Sequence, residues 1–338
     1  MRRVLHYVGG LARLVRRNAF GCSILICAAV AFAFPDSFDS WCGVKLLTLI
    51  VPTIQVIMFG MGTTLSAGDF IGVVRMPIPV LIGVTLQFLI MPSVGFMLAW
   101  AFGFSGELAA GMVLVGAVAG GTASNVVAYL ARANVALSVA MTCVSTLLSP
   151  FVTPLMMKLY AGRFISVDAA AMMVEMLKIV VVPVVAGVIV HGIFTRQFSE
   201  HKVACDRVLS FVSMVGICFT ILVLTAPSRA KFAEAGALLI LAAVLHNSFG
   251  YVSGYWLTRL AGRSLKMGET EARTVAIEVG MQNGGMAAAL SVGVLHSAVA
   301  ALPANVFSIW MNFSGSVLAS FWSRRRASSA CGNARTVI

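Results

Sequence analysis

One carboxylate constrains this chain more than any other residue. Glu278 stands in the run Glu278-Val-Gly-Met-Gln-Asn-Gly-Gly285, a polar, glycine-rich interruption of an apolar stretch. A charge at the middle of a membrane is costly and is kept only when something cationic shares the site. A chain that retains it must break the helix there and build polar surroundings for it. A second interruption, Gly120-Gly-Thr-Ala-Ser-Asn125, lies 160 residues upstream.

Composition says that these stretches belong in a membrane. The chain has 338 residues, 59% of them hydrophobic and only 11% charged. Soluble domains average about 25% charged residues. With roughly 20 apolar residues per crossing, the expected fold is an all-α membrane protein of ten transmembrane helices. The spans fall at 19–34, 43–65, 77–103, 108–131, 134–160, 169–195, 206–226, 235–259, 268–295 and 298–322. Residues 1–18 form a basic N-terminal segment, 19–323 the transmembrane domain and 324–338 a basic tail. Basic residues before the run Phe20 to Phe34 resemble a signal peptide. With Leu5, Leu11, Leu14 and Val15 spread through it, the segment reads better as an interfacial helix leading into the first span.

The net charge of +12 does not point to nucleic acid, because the basic residues are scattered through short loops. They sort by side. Arg2, Arg3, Arg13, Arg16, Arg17, Arg75, Arg132, Arg196, Lys202, Arg207, Arg259, Arg263, Lys266, Arg324, Arg325, Arg326 and Arg335 fall in one set of segments, and Lys158, Arg163, Arg229 and Lys231 in the other. Basic loops are cytoplasmic, so both termini are expected in the cytoplasm. The seven cysteines are odd in number and lack C-x-x-C spacing, which suits small buried hydrophobes.

An offset of 160 residues relates Gly120 to Gly280, Asn125 to Gly285 and Gln87 to Asn247. Five spans per copy is an odd number, so the copies enter the membrane from opposite sides as inverted repeats. Discontinuous fourth and ninth spans then cross near the midplane, a pattern of secondary transporters. Gly116, Gly120, Gly280 and Gly284 give two G-x-x-x-G spacings that permit close approach there. The oxygen-rich inventory favours a hard cation such as Na⁺: Glu278, with Gln87, Ser124, Asn125, Ser138, Thr142, Gln282 and Asn283. Ser138 and Thr142, spaced i, i+4, share a helix face. Carbonyl ends at the breaks suit a cation, and N–H ends near Ala123 and Gly284 suit an anion. His246 reads as an interhelical hydrogen-bond partner, and Glu175 with Lys178 as a local ion pair. A cation/proton antiporter and a membrane-embedded enzyme are the competing readings. No H-E-x-x-H, G-x-S-x-G or G-x-x-x-x-G-K run supports the enzyme.

Several motifs in order resemble the bile acid:sodium symporter family, its bacterial members especially. They are Gly120 to Asn125, Tyr129-Leu-Ala-Arg-Ala-Asn-Val-Ala-Leu-Ser138, Ser145-Thr-Leu-Leu-Ser-Pro150 and Glu278-Val-Gly-Met-Gln-Asn283. The resemblance runs from about residue 20 to 323. It implies a panel domain, about 19–65 and 169–226, and a core domain, about 77–160 and 235–322. It implies one sodium site at Ser124, Asn125, Ser138, Thr142 and Glu278. A second would use Gln87, Glu278, Gln282 and the backbone of Val279 and Met281. An organic anion would bind near Thr122, Ala123, Asn283, Gly284 and Asn312. Some bacterial relatives carry histidine where this chain has Met311. Family substrates include bile salts and pantoate-like acids. The implied partners are sodium, this anion and lipids of a bacterial inner membrane, with no nucleic acid.

The charge sorting makes a topology prediction. A cysteine placed beyond Arg326, in a background without exposed native thiols, should resist a membrane-impermeant thiol reagent applied to intact cells. Prompt labelling from outside would reverse the orientation.

Overall fold

A bilayer offers no water to backbone N–H and C=O groups, so an apolar chain crossing it must bond internally. The computed structural model follows that rule and is predominantly helical. It describes residues 19–65, 67–197, 202–227, 229–265 and 267–324. The expected N-terminal segment, residues 1–18, and the tail from 325 onward lie outside the described residues.

Helix α1 is Ala19–Ala33. A small hairpin follows, β1 Ser40–Trp41 with β2 Val44–Lys45, and is an exception to the all-helical expectation. Its turn places Cys42 at φ 51° and Gly43 at φ 81°, the paired positive φ of a tight hairpin. The second expected span therefore starts late, through a 3₁₀ turn, Leu46–Leu49, into α2, Ile50–Thr64. The expected loop before residue 77 is a short helix instead, α3, Ala67–Arg75, lying on the helix that starts at Val135.

Then come α4, Pro77–Ala101, α5, Gly106–Ala117, and α6, Ala123–Leu130. Next is α7, Val135–Tyr160. The sixth span is α8, Ala169–Met176, a π-helical stretch Leu177–Val181, and α9, Val182–Gln197. Pro183 removes the donor that Ile179 O would use, and the π turn absorbs the mismatch. Gln55 Nε2 on α2 donates to Lys178 O in that turn at 3.3 Å. Helices α10, Lys202–Thr225, and α11, Arg229–Leu265, follow. The last are α12, Glu269–Gly280, α13, Gly284–Gly293, and α14, Leu302–Arg324. At 37 residues, α11 is about 55 Å long, well beyond its expected 235–259.

Five helical stretches among the described residues are long and apolar enough to cross a membrane. They are Leu46–Thr64, Pro77–Ala101, Val135–Arg163, Ala169–Ile193 and Phe232–Gly262. The fourth and ninth expected spans are split, with halves of 12 and 8 and of 12 and 10 residues. Each half is at most about 18 Å long, so none spans a core of about 30 Å by itself.

Close approaches are made at glycines. A Cβ on Gly62 of α2 would lie 2.2 Å from Val184 O, and one on Gly187 of α9 would lie 2.3 Å from Phe59 O. The two backbones therefore touch. Helix α1 packs on α10, while α4 packs on α5, α7, α11 and α12. In α7, Pro150 leaves Thr146 O without its helical donor, and Ser149 Oγ supplies one at 2.8 Å.

Gly62→Ala should destabilise the purified protein by about 1–3 kcal/mol, because the methyl group meets backbone that cannot yield. Gly192→Ala, with nothing within 4 Å of its Cβ, should gain up to about 1 kcal/mol from helix propensity. Thermal unfolding in detergent reads both, and equal melting temperatures would refute the backbone contact.

Candidate functional site

The two interruptions meet. Residues 118–122 separate α5 from α6, and 281–283 separate α12 from α13. Gly120 pairs with Gln282 in an antiparallel bridge. Gly121 N donates to Met281 O at 3.1 Å, and Asn283 N to Ala119 O at 2.9 Å. The extended segments thus satisfy each other's backbone where neither can continue a helix. A Cβ on Gly121 would fall 2.7 Å from Gln282 O, so only glycine allows this approach.

Glu278 lies on the last turn of α12, fully buried. Its Oε1 accepts from Ser124 Oγ at 2.5 Å and from Ser138 Oγ. Its Oε2 accepts from Thr142 Oγ1 at 3.0 Å. Asn125 Oδ1 lies 2.8 Å from Ser138 Oγ and 3.5 Å from Thr142 Oγ1, a second acceptor competing for the same two hydroxyl protons. The i, i+4 spacing on α7 thus delivers both hydroxyls to one carboxylate, and α6 brings Ser124 and Asn125. No cationic side chain pairs with Glu278 among the described residues. A ring of neutral oxygens around one buried carboxylate offers the ligand type that hard cations take.

Gln87 and Gln282 extend the cluster. Gln87 Nε2 lies 3.4 Å from both Val118 O and Gln282 Oε1. Gln282 Nε2 donates to Val279 O at 2.7 Å. Gln87 Oε1 is buried without a hydrogen-bond partner among the described residues, an acceptor that a cation would satisfy. Val279 O and Met281 O, expected as cation ligands, each already accept one bond and keep a second lone pair.

Near the expected anion site, Thr122 is exposed, Ala123 and Asn312 are half-buried, and Asn283 and Gly284 are buried. Asn283 caps α13, its Oδ1 accepting from Met286 N at 2.9 Å. Helix α14 packs on both α6 and α13. A Cβ on Gly284 would lie 1.8 Å from Ser308 Oγ, and Asn312 Nδ2 donates to Ser308 O at 2.7 Å.

The G-x-x-x-G reading needs correction. Of its four glycines only Gly120 faces the opposite break, its Cβ position 2.9 Å from Glu278 Oε2. Gly116 abuts Met91 O, Gly280 the Tyr251 ring and Gly284 Ser308. The spacing serves three other helix contacts. His246 hydrogen-bonds Met91 O at 2.8 Å and Lys178 pairs with Glu175 at 2.8 Å, as expected.

Sequence reasoning missed two supports. Asn134 caps α7, accepting from Leu137 N, and its own N–H donates to Thr274 Oγ1 of α12 at 2.8 Å. This clasp lies one turn below Ser138 and Glu278 and sets their register. Arg273 is buried, paired with Glu269 Oε1 at 2.9 Å and bonded to Trp322 O at 3.2 Å. The Glu269–Arg273 spacing, i, i+4, was the signal for it.

The description "Sodium Bile acid symporter family" belongs to the family model that matches residues 51–235. The chain is similar to "Uncharacterized sodium-dependent transporter YocS" of Bacillus subtilis (strain 168), 38% identical over 98% of this chain and 97% of the relative. It is 34% identical to "Probable sodium/metabolite cotransporter BASS2, chloroplastic" of Oryza sativa subsp. japonica, covering 89% of this chain and 69% of that one. It is also 34% identical to "Probable sodium/metabolite cotransporter BASS1, chloroplastic" of Arabidopsis thaliana, covering 88% and 74%.

The clasp gives a stability prediction. Thr274→Val keeps the shape but leaves the Asn134 N–H without its acceptor, which should cost about 1–3 kcal/mol. An unchanged unfolding transition would show that the bond does not hold α7 to α12.

Proposed function

The chain belongs to the sodium bile acid symporter family, and from that premise we propose that it is a sodium-coupled symporter of organic anions working by alternating access. It is a multi-pass membrane protein of a sodium-dependent transporter family. The observation that carries the finer reading is Glu278, fully buried and surrounded by three hydroxyls with no cationic partner among the described residues.

Sodium is cargo here. In this reading Glu278, Ser124, Asn125, Ser138 and Thr142 hold one ion, their hydroxyl protons turning away from the carboxylate as it enters. Gln87, Gln282, Glu278 and the carbonyls of Val279 and Met281 hold a second. The unpartnered Gln87 Oε1 supports the second site. The neutral oxygens around a single acid favour ion ligation over a proton relay.

The organic anion binds beside the crossing, at Thr122, Ala123, Asn283, Gly284 and Asn312. N–H groups at the starts of α6 and α13 face its carboxylate. Because Asn283 Oδ1 caps α13, its Nδ2 is the atom that turns to the substrate. No arginine or lysine is among these residues, so recognition needs a compact polar pocket rather than a charged clamp. Bile-salt-like and pantoate-like carboxylates both fit that chemistry.

The architecture that goes with this mechanism is ten membrane helices in two inverted repeats. A core, about 77–160 and 235–322, moves against a panel, about 19–65 and 169–226. Both termini are cytoplasmic and the membrane is the bacterial inner membrane. Two Na⁺ with a monoanion carry net positive charge inward, and each charge gains about 2.3 kcal/mol per 100 mV.

Glu278→Gln keeps the side-chain shape and removes the charge shared by both sodium sites. Uptake of labelled pantoate and of taurocholate into membrane vesicles, in Na⁺ and in K⁺, tests it. Sodium-driven uptake should fall to the potassium background while the variant remains folded and inserted. Full sodium-dependent uptake by the variant would contradict the assignment.

A further inference from the structure

The two breaks are served by related amides with different fates. Gln87 on α4 and Asn247 on α11 are separated by the same 160 residues as Gly120 and Gly280. Each sends its amide N–H to a carbonyl freed by a break. Gln87 Nε2 reaches Val118 O at 3.4 Å, and Asn247 Nδ2 reaches Gly280 O at 2.7 Å. The amide oxygens then diverge. Gln87 Oε1 has no partner among the described residues, whereas Asn247 Oδ1 accepts from Ser314 Oγ at 2.7 Å.

Ser314 lies on α14, two residues beyond Asn312. Tyr251, one turn along α11 from Asn247, reinforces the link. Its hydroxyl is 3.3 Å from Ser314 Oγ and 3.4 Å from Met311 O. Its ring fills the space above Gly280, where a Cβ would lie 2.2 Å from the ring. Residues 311–314 are thereby tied to the end of the half-helix that carries Glu278.

We propose that Asn247, Ser314 and Tyr251 form the element that couples the substrate-side helix to the ion-side break. The inference rests on the sodium-symport reading. These are positioning residues, because none need touch either cargo. Asn247 is fully buried, and a buried polar group left unpaired is expensive. When ion binding moves Glu278 and Gly280, Asn247 follows its carbonyl and draws Ser314 with it, carrying Asn312. A hydroxyl from α14 occupies the amide oxygen that the related position leaves open to a cation. One side of the pseudo-symmetric pair binds an ion and the other transmits its arrival.

The test reads coupling apart from binding. Asn312→Cys, in a background with the seven native cysteines replaced, is labelled with a water-soluble thiol reagent in NaCl and in KCl at equal ionic strength. The labelling rate should differ by at least about fivefold, the lower end of usual coupling energies. Adding Ser314→Ala should abolish that difference while sodium-dependent thermal stabilisation keeps its midpoint concentration within about threefold, well inside a tenfold step of 1.4 kcal/mol. Ser314→Thr, which restores a hydroxyl, should recover the response. Tyr251→Phe, removing one oxygen only, gives an independent reading and should weaken it. A full sodium response in Ser314→Ala overturns the proposal. So does loss of sodium stabilisation in Ser314→Ala, which would make the hydroxyl part of the ion site. So does sodium-insensitive labelling of a parent that sodium still stabilises, and there the symport reading survives. A parent that sodium does not stabilise refutes the symport reading itself, and the coupling with it.

Discussion

The structure depends on a buried carboxylate held by hydroxyls. Glu278 is taken out of water at the end of a half-helix, and its oxygens accept from Ser124, Ser138 and Thr142. Hydroxyl dipoles lower the cost of that burial without cancelling the charge. The residual demand for positive charge is what the proposed sodium ion would meet at the crossing. The burial also explains why α6 and α7 converge on α12, both contributing hydroxyls to the carboxylate that α12 carries.

Breaking two helices in an apolar setting creates a second demand, for donors to the freed carbonyls. The chain meets it one carbonyl at a time. Thr153 Oγ1 serves Ala117 O at 2.7 Å, Gln87 serves Val118 O, Asn283 N serves Ala119 O, and Asn247 serves Gly280 O. Each donor comes from another helix or from the opposite break. These bonds tie the site to α4, α7 and α11, and through Ser314 to α14. That interdependence suits a transporter, in which ion and substrate occupancy must be sensed together.

Much of this was legible because it rests on costly residues. An acid and paired glycine-rich runs have few structural uses inside a membrane, so Glu278, the two breaks and the Gln87–Asn247 relation stood out. Ser138 and Thr142 followed from helical spacing. What escaped is set by three-dimensional neighbours. Asn134 opens the fifth expected span, 134–160, and only the structure shows its N–H clasping Thr274. Arg273 was hidden among the compensating charges of Glu269 and Glu271. The hairpin turn puts Cys42 at positive φ, a conformation that residue identity does not suggest. The G-x-x-x-G spacing gives a helix face and not the partner that each glycine meets.

The central claim is that the crossed breaks around Glu278 bind sodium. Equilibrium binding of radiolabelled sodium to the purified protein tests it most directly. The account predicts saturable binding that unlabelled NaCl displaces and KCl at equal ionic strength does not. Absence of saturable binding, or equal displacement by potassium, would contradict it.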